Sequence, residues 1–163
     1  MNFYRLSELQ KLLKSRGLSL SKERGQNFLY NESILKQMAD FVPNKRPILE
    51  IGPGFGHMTK LLAQKTNPYF AVELDQGFYL FLKEQFEDRI QLFHENFLKF
   101  DFLKLNLSRI TVAGNIPYSI SLEILLKLLR NLDFIEEFYL LVQLEFGEKL
   151  MAQPKNEKYG RIT

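Results

Sequence analysis

"ILEIGPGFGHMTKLL", Ile48 to Leu62, decides the fold. An apolar run of strand length leads into Gly52, Gly54 and Gly56, and apolar residues then recur at helical spacing from Met58 to Leu62. A strand, a glycine loop and a helix in that order form the first half of a βαβ unit. Glycines let a backbone approach a ligand without a Cβ in the way, and the helix N-terminus behind them favours negative charge. In open parallel sheets the crevice at the carboxyl ends of the strands is where ligands bind.

The spacing restricts the ligand. A dinucleotide loop needs glycine or alanine at position 57, where this chain has His57, and a phosphate-cradling P-loop needs Gly-Lys-Ser/Thr, which is absent. What remains is the Glu-x-Gly-x-Gly-x-Gly pattern of S-adenosylmethionine (SAM) methyltransferases, whose ligand carries no phosphate. Taken alone, the three glycines also fit a plain tight turn. The next strand, "YFAVE", weighs against that: it ends on Glu73, about 20 residues downstream, where a carboxylate can accept both hydroxyls of a ribose. The third strand leads into "HEN" and places Asn96 at the next loop of the same crevice.

Outward from this segment, "PILEI", "YFAVE", "IQLF", "ITVAG" and "EFYLLV" have strand length, and "HMTKLLAQK", "QGFYLFLKEQF" and "SLEILLKLLRNL" alternate with them as helices. That alternation predicts a Rossmann-like α/β domain around a mostly parallel sheet with both faces covered. Upstream, "NESILKQMADFV" predicts a helix capped by Asn31 and stopped before Pro43, and Leu6, Leu9, Leu12 and Leu13 predict a short amphipathic helix. After "LEFGEKLMA", a helical stretch, and a loop, the final "RIT" has the look of another strand beginning. The expected organisation is a basic arm over residues 1–25 and a methyltransferase domain over residues 26–163, its sheet unfinished and a C-terminal helical domain missing.

"NIPY", Asn115 to Tyr118, follows the fourth strand and so opens onto the glycine-loop crevice. The N6 amine of adenine is a poor nucleophile because its lone pair is delocalised into the ring. Two acceptors can favour its pyramidal form: the Asn115 side-chain oxygen and the backbone carbonyl of Ile116 or Pro117. Pro117 fixes the local backbone, and Tyr118 offers a face on which a base can stack. In isolation the same four residues also read as an Asn-Pro turn with a packed tyrosine.

The chain has 163 residues, 45% of them apolar and 25% charged, enough to bury one core. It has no cysteine and two histidines, His57 and His94, so disulfides and thiolate metal sites are excluded and no metal is expected. No apolar run approaches the roughly 20 residues of a membrane span, and the N-terminus lacks a signal peptide's apolar stretch. A cytoplasmic protein without membrane contact, monomeric by default, is the expectation. The net charge of +3 is uneven: residues 1–25 carry six Lys and Arg against two Glu. Such an arm suits a phosphate-rich partner, although a solvated helix face has the same composition.

Together, "GQNFL", "EIGPGFG", "VELD", "GNIPYSIS" and "VQLEFGEKLMAQPKNEKYGRIT" resemble, in order and spacing, the rRNA adenine N6-dimethyltransferases, above all the bacterial KsgA/RsmA branch, relatives of the Erm methyltransferases. The resemblance runs from about Lys22 to Thr163. It implies SAM-dependent dimethylation of two adjacent adenines in the 3′-terminal hairpin loop of small-subunit rRNA, on a pre-ribosomal small subunit, late in assembly. By motif, Asn27 and Leu29 would line the cofactor site, Gly52 and Gly54 would pass under its methionine part, and Glu73 would hold the ribose. Asn115 would touch both cofactor and target amine, and Tyr118 would stack on the flipped adenine. The chain departs from the family at Asn96, where an aspartate is usual. An amide oxygen there can still accept from the cofactor's adenine amino group. Leu144 and Arg24 also depart from the pattern, without a functional account. An Erm-like enzyme acting on large-subunit rRNA shares every one of these motifs, and a noncatalytic RNA-binding assembly factor on the same fold is the reading from another class.

Overall fold

The computed structural model describes Ser15, residues 31–66 and residues 68–163. The expected N-terminal helix, the basic arm, Arg24, Asn27 and Leu29 lie outside the described residues. Helix α1 (Glu32–Phe41) begins where Asn31 accepts hydrogen bonds from the Ser33 and Ile34 amides, 3.0 and 3.2 Å away. This cap satisfies two of the N–H groups that a helix start leaves without partners. The apolar stripe Leu35, Met38 and Ala39 faces inward, and Val42 ends the helix before Pro43.

Among the described residues five strands form the sheet: β1 (Ile48–Ile51), β2 (Tyr69–Glu73), β3 (Gln91–His94), β4 (Ile110–Asn115) and β5 (Ile135–Leu141). All pairs are parallel, in the order β3-β2-β1-β4-β5. β1 and β2 are buried throughout, as largely apolar strands are when helices cover both faces, with Glu50 and Glu73 the buried charged exceptions. The connecting helices are α2 (His57–Leu62), α3 (Gln76–Phe86) and α4 (Ser121–Leu129), with α5 (Leu144–Leu150) after β5. α2 and α4 stop short of the full apolar stretches because the chain tightens into turns, Lys65 N–H bonding Leu62 O and Asn131 N–H bonding Leu128 O.

Strand periodicity sorts the core into two layers. Ile48 and Ala71 join Leu35, Met58, Phe78 and Phe81 on one face. Leu49, Ile51, Phe70 and Val72 join Phe97, Phe102, Ile124 and Leu128 on the other. At the far end of the sheet Arg46 pairs with Glu136 and Glu137, and Thr111 donates to Glu137, which ties β5 to its neighbours; Tyr139, within β5, also donates to Glu137.

The strand expected at "RIT" is not formed. Residues 161–163 close a turn in which Thr163 N–H bonds Gly160 O and the Thr163 hydroxyl donates to Lys149 O, 2.8 Å away. A strand needs a neighbour to complete its ladder; here a helix end takes up the polar groups instead.

The strand order positions the site. From β1 the chain moves outward through β2 to β3, then crosses back to β4 on the other flank of β1. The carboxyl ends of β1 and β4 therefore lie side by side, with Ile51 opposite Gly114. Loops leaving a sheet in opposite directions from adjacent strands open a crevice between them.

Candidate functional site

The crevice holds a cavity of about 370 Å³. Gly52 and Gly54 after β1, Glu73 at the end of β2, Asn96 after β3, Asn115 at the end of β4 and Pro117 beyond it all line it. Six of the residues singled out from sequence thus meet in one space, although up to 65 positions separate Gly52 from Pro117. Tyr118 does not line the cavity. It opens the short 3₁₀ turn Tyr118–Ile120, is 40% exposed, and is flanked by Pro117 and Ser119, which do line it.

The glycine loop is shaped for close approach. Gly52 has φ of 61°, and a Cβ built there meets no atom within 4 Å. A side chain at this position would stand in open space that a ligand can fill. The Gly54 amide donates to Glu73 Oε2 at 3.0 Å, and the Asp75 amide donates to Oε1 at 2.8 Å. These bonds fix the carboxylate while each oxygen keeps a lone pair for a further donor. Burial raises the Glu73 pKa, with the Asp75 and Gly54 amides opposing that rise.

Asn96 Oδ1 accepts from Leu98 N–H at 2.9 Å and caps the 3₁₀ turn Phe97–Lys99. An adenine amino group would have to share this oxygen, using its second lone pair. On the β4 side, the Pro117 carbonyl accepts from Ile120 N–H at 3.2 Å and from the Ser121 hydroxyl at 3.1 Å. Of the two carbonyls considered from sequence, Pro117 is thus committed to starting α4, and Ile116 is the better candidate acceptor.

The sequence reading passed over the polar floor of the cavity. Glu50 lies mid-strand in β1, 1% exposed, and its Oε2 accepts from the Thr59 hydroxyl at 2.5 Å and the Tyr69 hydroxyl at 2.6 Å. Burial pushes its pKa up to about 7, the two hydroxyl bonds pull it down, and the charge of Glu73 adds to the rise. His57, at the start of α2, also lines the cavity; burial, and then the charge of Lys60, push it down to about 4. A glutamate inside an otherwise apolar strand was the available signal. Its partners come from α2 and β2, so the pattern of one strand could not show what satisfies it.

The two shifts oppose each other in the pH dependence of stability. Between its folded pKa of about 4 and its ordinary 6.5, His57 binds a proton only when unfolded, so its contribution rises with pH across that window. Glu50 holds a proton only when folded between its ordinary 4.5 and about 7, so its contribution falls as pH rises. We expect His57→Gln to expose the Glu50 slope: from pH 4.5 to 6.5 the variant should lose roughly 2–3 kcal/mol relative to the wild type. Urea unfolding across that range measures this, and parallel curves would refute it.

Three comparisons bear on this arrangement. The family model described as ribosomal RNA adenine dimethylase matches residues 17–163. The "Ribosomal RNA small subunit methyltransferase A" of Malacoplasma penetrans is 36% identical over 154 residues, covering 93% of this chain and 56% of that protein. The chain therefore spans about half the length of the relatives it matches. Among solved structures, a dimethyladenosine transferase from Plasmodium falciparum superposes with a TM-score of 0.73 at 23% identity, covering 83% of this chain and 50% of that one; it supports the fold. The 23S rRNA methyltransferase ErmE gives 0.69 at 27% identity, covering 84% and 54%. The glycine loop, the buried Glu73 carboxylate and the Asn-Ile-Pro-Tyr turn fall inside the matched span, and the chain belongs to the ribosomal RNA adenine dimethylase family.

Proposed function

We propose that this chain binds SAM in the cavity between β1 and β4 and directs methyl transfer to the N6 amines of two adjacent adenines in the 3′-terminal hairpin loop of small-subunit rRNA. The observation that carries the reading is the meeting of Gly52, Gly54, Glu73, Asn96, Asn115 and Pro117 around one cavity. The family membership and the small-subunit relatives support the choice of substrate. When bound, SAM supplies an electrophilic methyl group on a sulfonium.

The chain's own residues would do the rest. Open space at Gly52 admits a ligand against the backbone, and the Glu73 carboxylate, held by two amides, offers its remaining lone pairs to ribose hydroxyls. Asn96, with Phe97 and Leu98, closes the adenine end of the cofactor pocket. At the other end Asn115 Oδ1 and the Ile116 carbonyl accept hydrogen bonds from the target amine, stabilising positive charge as it develops on nitrogen. Tyr118, half exposed beside the cavity, gives the arriving base a stacking face. Asn27 and Leu29 are proposed to complete the cofactor site, and the basic residues before position 26 to contact RNA phosphates.

The test is transfer of labelled methyl from SAM to small ribosomal subunits lacking the modification, with large-subunit RNA in parallel, followed by nucleoside analysis. Dimethyladenosine in the small-subunit RNA is the expected result. Labelling of large-subunit RNA alone would favour the second reading, for which the likeness to ErmE speaks. Cofactor binding without transfer to either RNA would favour a noncatalytic RNA-binding role.

A further inference from the structure

Lys127 sits on α4, the helix that the Asn-Ile-Pro-Tyr turn feeds into, and nothing in the chemistry above uses it. Its ammonium turns inward. Nζ donates to the Phe100 carbonyl at 2.6 Å and to the Leu98 carbonyl at 3.2 Å. The same nitrogen lies 5.7 Å from the ring centroids of both Phe97 and Phe102, which meet edge to face. Two carbonyls and two π faces thus surround one cation, all from the segment that follows β3. Burial lowers the ammonium's pKa, while the charges of Asp101 and Glu95 act to raise it.

That segment forms one wall of the cavity through Asn96, Phe97 and Leu98. Its backbone is not part of the sheet, and short 3₁₀ turns alone shape it. A surface lysine would snorkel outward; here the half-buried stem crosses from α4 and spends two donors on backbone carbonyls. Asn131 Nδ2 in turn bonds the Lys127 carbonyl at 2.7 Å and steadies the end of α4.

We infer that Lys127 is a positioning residue for the cofactor: its ammonium clamps the Asn96–Leu98 wall onto α4, so that the wall closing the adenine end of the cavity and the turn presenting Asn115 are held as one unit. The inference rests on reading the cavity as a cofactor site. Losing the clamp should loosen the wall and weaken cofactor binding, while the acceptors at Asn115 and Ile116 stay in place.

The experiment compares the wild-type chain with Lys127→Met and Lys127→Arg, using S-adenosylhomocysteine as the calorimetric probe well below the melting temperature. Lys127→Met keeps the stem and removes the donors, and should raise Kd about tenfold, the order expected for a lost charge-assisted bond. The KM for SAM should rise similarly, with kcat at saturating cofactor within about twofold, a split that general loosening of the domain would not give. Amide exchange over residues 97–102 should quicken in the same variant. Lys127→Arg keeps the cation, but its longer side chain and donors confined to the guanidinium plane match the two carbonyls less well than a rotating ammonium. It should restore part of the affinity, leaving Kd about threefold above wild type. Unchanged Kd and exchange in Lys127→Met would overturn the inference. Should that variant fail to fold, Lys127→Arg decides: a raised Kd supports the clamp and an unchanged one overturns it. A wild-type chain that binds no S-adenosylhomocysteine would overturn the cofactor reading and the inference with it, whereas wild-type binding matched by Lys127→Met would overturn the inference alone.

Discussion

Asn115→Ala should lower methyl transfer by about 100- to 1,000-fold, the range seen when one preorganised polar partner of a developing charge is removed. The loss should fall on kcat, because the bond from the target amine strengthens as nitrogen becomes positive and contributes little before that. The fold should barely respond. Asn115 closes β4 opposite Leu141, and Ile116 N–H bonds Leu141 O at 2.9 Å, contacts that backbone atoms make whatever the side chain. Melting should therefore move by no more than a few degrees. Asn115→Asp is the informative companion, since it keeps an acceptor in the same place and should retain more activity than the alanine variant. Turnover within a few-fold of wild type in Asn115→Ala would remove the residue from the mechanism. Equal losses in the two variants would point to an essential role for the amide's donor side instead.

The same geometry explains which features of the site the sequence could disclose. In a parallel sheet every strand ends toward the same edge, so residues that immediately follow strands share a neighbourhood even when the chain separates them widely. Gly52, Glu73, Asn96 and Asn115 all stand within one or two residues of a strand end, and locating the strands was enough to bring them together. The strands were easy to locate because β1, β2 and β4 are apolar runs, punctuated by glycine, proline or the next amphipathic helix.

Features depending on contacts between elements stayed hidden. Glu50 looks like an error in a buried strand until Thr59 and Tyr69 arrive from α2 and β2. Lys127 reads as an ordinary cation on an amphipathic helix; its partners lie 27 and 29 positions away in a segment without periodic pattern. "RIT" belongs here as well, since three residues with strand propensity form a strand only against a neighbour, and propensity does not provide one. Tyr118 is intermediate: its motif was legible, but its exposure beside the cavity follows from the 3₁₀ turn that Pro117 begins.

Gly56 shows how one short loop carries two different constraints. It caps α2 with φ of 72°, and a Cβ there would lie 2.6 Å from Phe86 Cε2 and 2.9 Å from Leu82 Cδ2. Both neighbours are buried in the layer beneath α1 to α3, so neither can swing into solvent. Gly56→Ala should therefore combine left-handed backbone strain of about 1–2 kcal/mol with an overpacking cost of about 1–3 kcal/mol. A loss of roughly 2–5 kcal/mol in urea unfolding is the expected result, lowering the melting temperature by roughly 4–20 °C. Gly52→Ala separates the two contributions. Its φ of 61° imposes similar strain, but its Cβ meets nothing within 4 Å, so its stability loss should stay near 1–2 kcal/mol. Its larger effect should be on cofactor affinity, because the new methyl group occupies space left for the ligand. A Gly56→Ala chain no less stable than Gly52→Ala would show that Phe86 and Leu82 give way freely. Pairing Gly56→Ala with Leu82→Ala then tests the contact directly: the double variant should lose less than the sum of the two single losses, by about 0.5–3 kcal/mol.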